Sequence, residues 1–205
     1  MEYREGHEIM KKRIGFILTL IIILAGLFGC GEKITLEDME TVTYHQEEGG
    51  YSITIPKAWE KKTEDADSVS FVSKQPATSF NLVYEIGGYD YYSLDKLAEE
   101  VVSSLGKKIE NLKIVDHSKS GPDTTAFQFV AQGIIPKEQE VLVKGVILEP
   151  YTGVRYYLLF TAGIKDYRTQ NSLFDDIAGS FKVNKSDKEL YEQITVAPEE
   201  QEQGE

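Results

Sequence analysis

The sequence predicts an α+β domain in which helices cover a β-sheet, and three observations carry that expectation. Runs of period-two alternation recur along residues 51–162. Two later segments, near 94–109 and 167–181, repeat apolar residues at three-and-four spacing. Residues 154–162 are apolar on both strand faces, the pattern of a central strand covered on both sides.

The chain opens with a segment of different character. Lys11, Lys12 and Arg13 precede an uncharged apolar run, residues 14–29, that ends at Cys30, the single cysteine. As a helix those sixteen residues reach about 24 Å, short of the roughly 30 Å hydrocarbon core of a bilayer. A basic n-region, a short apolar core and small residues at its end make a secretory signal. Met10 offers a start that places the basic cluster directly at the N-terminus. The end of the run, Leu27-Phe28-Gly29-Cys30, resembles the bacterial lipobox, with Phe28 where a smaller residue is usual. The resemblance implies that residues 1–29 are removed and that Cys30 carries the lipid, palmitate included. Two acyl chains give lasting anchorage where one is marginal. The expected location is a cell membrane, on the side facing out of the cytoplasm.

Removing residues 1–29 takes four of the 22 Lys and Arg and three of the 34 Asp and Glu, leaving 18 basic against 31 acidic side chains. That balance argues against nucleic acid and against electrostatic adhesion to anionic lipid. It suits solubility and is compatible with a cationic partner. With Cys30 acylated, no disulfide is available, so a sizeable apolar core must hold the fold.

Residues 30–49 are polar and acidic and read as a flexible tether. The folded domain is expected over 50–184. Tyr51-Ser52-Ile53-Thr54-Ile55 alternates as a half-buried strand closed by Pro56, and Trp59 beyond it reads as a core or edge plug. Residues 69–73 and 79–86 read as strands, the latter with Phe80, Leu82, Tyr84 and Ile86 on one face. Ser93 and Asp95 suit the start of a helix whose apolar face is Leu94, Leu97, Val101 and Leu105, with Ile109 extending the series. Strands follow at 113–117, 125–131, 140–148 and 154–162, and a second helix at 167–181 buries Leu173, Phe174, Ile177 and Phe181. From residue 185 the chain is an acidic tail with too little apolar surface to offset ordering entropy, and it reads as disordered.

The opening Tyr51-Ser52-Ile53-Thr54-Ile55-Pro56-Lys57-Ala58-Trp59 resembles the first strand, proline and tryptophan of PsbP-like domains. Arg155-Tyr156-Tyr157-Leu158-Leu159-Phe160-Thr161-Ala162, followed by Ile177-Ala178-Gly179-Ser180-Phe181, resembles their closing strand and helix. The resemblance spans about residues 50–184. It implies an α/β/α sandwich around a mainly antiparallel sheet and a binding role, usually toward a protein, and it transfers no site residue.

Chemistry is sparse in the rest of the sequence. His45 and His117 stand near no nucleophile motif, Gly-x-Ser-x-Gly and His-Glu-x-x-His runs are absent, and Ser-x-x-Lys occurs only as Ser93-Leu94-Asp95-Lys96 and Ser104-Leu105-Gly106-Lys107, at the start and toward the end of the first expected helix. Organised zinc ligands and phosphate-cradling glycine loops are absent too, and adjacent Asp175 and Asp176 diverge on a helix. The expectation is a noncatalytic module with no metal and no cofactor that binds an envelope protein or small ligand. An envelope hydrolase with an unfamiliar site and a passive assembly lipoprotein are the alternatives. Tyr89, Tyr91 and Tyr92, between the 79–86 strand and the first helix, form the candidate partner patch, since tyrosines give rigid amphipathic contact area.

Overall fold

A computed structural model describes residues 33–87, 93–119, 125–136 and 139–195. After a short 3-10 turn, Leu36–Asp38, come β1 (Thr41–Gln46), β2 (Tyr51–Pro56), β3 (Glu60–Asp65), β4 (Ser68–Lys74) and β5 (Ala77–Ile86). The first helix α1 (Leu94–Leu105) leads to β6 (Glu110–Lys119), β7 (Ala126–Ile135), β8 (Gln139–Tyr151) and β9 (Val154–Gly163). Helix α2 (Ile164–Gly179), β10 (Lys182–Val183) and α3 (Asp187–Thr195) complete the described chain.

Seven strands form one antiparallel sheet in the order β3-β4-β5-β9-β8-β7-β6, and β1-β2-β10 form a second, small one. The strand that is apolar on both faces, β9, stands in the middle of the large sheet. Its two faces feed two cores. Tyr157 and Leu159 join α1, Phe127, Phe129 and Ile147 on one side. Val154, Tyr156, Leu158 and Phe160 join α2 and β2 on the other. The layers are therefore helix, large sheet, then helix with small sheet.

Aromatic stacking fixes the second core. Phe160 lies between Phe80, with ring centroids 4.5 Å apart, and Phe174 of α2 at 4.9 Å. Each such fully buried ring contributes roughly 1.5–3 kcal/mol by leaving water. Trp59 is buried against Phe80 at 6.3 Å, a plug beneath the sheet. On the α1 side, Phe129 crosses Gly145 of β8. A Cβ there would sit 2.2 Å from the ring, so only glycine lets the two strands keep this cross-strand pair.

Two stretches differ from expectation. The tether assigned to residues 30–49 does not describe the chain from Ile34 onward. The Ile34 amide donates to the Thr169 carbonyl at 3.0 Å, the Leu36 amide donates to Asp176 Oδ2 at 3.1 Å, and β1 pairs with β2 along its whole length. An edge strand is held by backbone hydrogen bonds that need no apolar alternation, so its polar sequence concealed it. Tyr44 alone anchors it in the core, packing edge-on to Phe71 at 5.4 Å. The acidic tail likewise begins with helix α3, whose Leu190 is fully buried. Ser186 and Glu189 exchange capping hydrogen bonds at its start, the Ser-x-x-Glu box. Residues 196–205 lie outside the described residues. The second helix starts at Ile164 rather than 167, and α1 stops at Leu105 while Ile109 stays buried just beyond it.

Candidate functional site

The candidate site is an open groove of about 420 Å³ between α2 and the part of the large sheet that α2 leaves uncovered. Its floor comes from β6, β7 and β8, with Asp116, Ser118, Gln128, Val130 and Lys144, and its wall is Tyr167, Asn171 and Asp175 of α2. Spaced four residues apart, those three side chains stand in one row along the helix.

Lys144 organises the groove. It sits in register between Val130 and Phe160 in the interior of the sheet, with a side chain only 7% exposed. Burial of an ammonium demands a partner. Its Nζ donates to Asp175 Oδ1 at 2.5 Å and to Asn171 Oδ1 at 3.1 Å, which neutralises it. Asn171 Nδ2 also donates to Asp175 Oδ2 at 3.4 Å. Beside them the Tyr167 hydroxyl is pushed up to about 12, first by burial and then by the carboxylates of Asp175 and Asp116. It remains a protonated donor at any ordinary pH. Asp116 is exposed and joins no ion pair among the described residues, so the groove carries a negative charge.

A second polar cluster lies at the far end of the central strands. Arg155 is 3% exposed, and its Nε donates to Glu149 Oε1 at 3.1 Å while Glu85 approaches to 4.0 Å. Tyr157 donates to Glu85 Oε2 at 3.2 Å. This network satisfies a buried guanidinium near the end of the central strand β9.

His117 and Ser118 reach the groove as neighbours on β6, but successive strand residues point to opposite faces. His117 stacks on Phe127 at 5.8 Å, and no hydrogen bond joins the two, so they make no nucleophile–base pair. His45 is exposed on β1, opposite Ser52. Among the described residues no three His, Cys, Asp or Glu side chains are grouped to hold a metal ion, and no helix is long and apolar enough to cross a membrane. Cys30 and the patch Tyr89, Tyr91 and Tyr92 lie outside the described residues. The groove residues were not anticipated. The available signal was Lys144, a charge inside an otherwise apolar strand, and the row of three residues at four-residue spacing on α2.

No family model and no curated protein matches the chain in sequence. Solved structures do match it in shape. The Saccharomyces cerevisiae Ran-binding protein Mog1p superposes with a TM-score of 0.55 at 10% identity, over 71% of this chain and 96% of that one. The cyanobacterial PsbP (CyanoP) of Synechocystis sp. PCC 6803 gives 0.56 at 14% identity, over 78% and 98%. The chain shares their fold. The antiparallel sheet between helical layers, implied by the likeness of residues 51–59, 155–162 and 177–181 to PsbP-like domains, is thereby established. In this Mog1p and PsbP type of fold, the groove lies beside α2, at the margin of the core that α2 covers.

Proposed function

We propose that the chain is a lipid-anchored, extracytoplasmic, noncatalytic binding module, held to a cell membrane through Cys30, whose α2 groove receives a cationic group of an envelope protein. One observation carries the binding role: Lys144 is already neutralised by Asp175, which leaves Asp116 and the Tyr167 hydroxyl to face the opening. A lysine or arginine entering there would meet a carboxylate across partly desolvated walls, and charge-assisted hydrogen bonds are the stronger kind. The two similar structures support a binding module by analogy of fold, since one is described as Ran-binding. The lipobox-like end of the signal supports the anchor.

A photocrosslinking residue in place of Gln128, introduced into intact cells, tests the groove. It should capture one stoichiometric membrane-associated partner, and Asp116→Asn should reduce that capture about tenfold without loss of folding. Capture unaffected by Asp116→Asn, or no capture, refutes the role given to the groove. For the anchor, Cys30→Ala should abolish palmitate labelling, and labelling that persists refutes it.

A further inference from the structure

The ordered path of residues 33–36 sets how close the domain stands to Cys30. Leu36 is bonded to Asp176 and Ile34 to Thr169, so the segment lies along α2 and, traced backward, heads for the N-terminal end of that helix. Lys33 is the first described residue, and only three peptide steps separate it from Cys30. Fully extended they span about 10 Å. With the tether shortened to that length, a lipid on Cys30 cannot leave the domain free to tumble. It must bring one end of the sheet to the bilayer.

That end is defined by the strand register. Gly163 of β9 is level with Val141 of β8, and Ala162 is level with Thr78 of β5. Lys33, Lys165 and Arg168 surround the point where the chain leaves α2, and Lys107 and Lys108 close α1 at the same end of the other face. All five are exposed. Asp166 of the first turn of α2, Glu110 and Glu140 share this end, and Glu60 is there paired with Lys62 and Lys74. The opposite end, about 30 Å away along ten-residue strands, gathers Glu47, Glu48, Asp65, Asp67, Glu85, Glu149, Asp187, Glu189 and Glu192 against Arg155, Lys185 and Lys188. The acidic charge of the chain is therefore polarised away from the exit toward Cys30.

Resting on the reading of Cys30 as the acylated residue, we infer that the N-terminal end of α2, with Lys33, Lys165 and Arg168, is a docking surface for anionic lipid headgroups. The anchor and these cations together fix the domain upright on the membrane, its acidic end outward. The cations stand within roughly one Debye length of the headgroups, where attraction survives physiological salt.

The test uses the acylated full chain, extracted from membranes and reconstituted in vesicles of phosphatidylcholine with 30% phosphatidylglycerol. Fluorophores are placed singly at Ser103→Cys, near the basic end, and Thr152→Cys, at the acidic end, while headgroup nitroxide lipids quench them. Quenching at 103 should exceed that at 152 at least threefold. Lys165→Gln with Arg168→Gln, or phosphatidylcholine alone, should cut the difference about twofold or more. Equal quenching at both positions on a chain that mass spectrometry shows to be acylated overturns the orientation and leaves the anchor standing. A chain that carries no lipid overturns the anchor, and the orientation with it.

Discussion

Two tyrosines in the second core make opposite predictions for the same chemical change. Tyr51 is 1% exposed and ringed by Tyr44, Tyr84, Tyr156 and Phe181, and its hydroxyl has no hydrogen-bond partner among the described residues. Burial also drives its titration far upward, so the group stays an uncharged and unpaired hydroxyl. A few ångströms away, Tyr156 is fully buried and donates to the Gly49 carbonyl at 2.8 Å. Leaving a buried polar group unpaired costs about 1–3 kcal/mol, whereas a made hydrogen bond contributes about 0.5–1.5 kcal/mol net. Tyr51→Phe removes an unpaired group and should stabilise the domain by about 1 kcal/mol, after a small loss for the vacated volume. Tyr156→Phe removes a partner from a buried carbonyl and should cost about 1–2 kcal/mol. For a domain of this size, 1 kcal/mol moves the thermal midpoint by about 2–4 °C. The two variants should therefore melt on opposite sides of the parent and be separated by roughly 2–3 kcal/mol in urea unfolding at equal m-value. Equal destabilisation of both would show that the Tyr51 hydroxyl is satisfied, and would refute the reasoning.

The Lys144 network predicts an asymmetry between its partners. Asp175→Ala strands a buried ammonium and should cost about 1–2 kcal/mol in chemical unfolding, discounted because Asp175 is 48% exposed, while Lys144→Met should be near neutral. Leu190→Ala, at a fully buried position of α3, should cost about 2–4 kcal/mol; a cost below about 0.5 kcal/mol would detach α3 from the core. Hydrogen bonds from Lys62 and Lys74 depress the Glu60 carboxyl from 4.5 to about 2. A carboxyl lowered on folding stabilises above its unfolded pKa and loses that contribution as pH falls through the folded value. Glu60→Gln should thus flatten the acid limb of stability between about pH 4.5 and pH 2 in urea titrations at stepped pH, the difference from the parent vanishing only below pH 2.

The sequence revealed its interior far better than its rims. Strands β2, β5 and β9 and both large helices announce themselves because each buries a repeating apolar face, and the two-sided pattern of Tyr156 through Phe160 placed β9 at the sheet centre. Strand β3, with its Glu-Lys-Lys-Thr-Glu-Asp run, is exposed at every position and carries no period-two signal. It exists because the backbone of β4 offers a row of hydrogen-bonding groups, and its charges suit an edge that must not recruit further strands. Strand β1 was hidden for the same reason. The groove was illegible because its members come from β6, β7, β8 and α2, and only the fold unites Asp116, Lys144 and Asp175. Lys144 on its own reads as a surface residue, since its burial depends on a helix that begins twenty residues later.

The small sheet has a consequence in time. Strand β2 is flanked by β1 just before it and by β10, whose Lys182 and Val183 pair with Ser52 and Tyr51. The Asn184 amide then seals the join by donating to the Gly50 carbonyl at 2.7 Å. A chain emerging N-terminus first makes Ile53 and Ile55 early but gains their last cover only after some 130 further residues. Non-local closure of this kind slows folding. Until that final stretch is made, the β10-facing edge of β2 at Tyr51 and Ser52 has no strand partner, so the beginning of the domain is completed by its end.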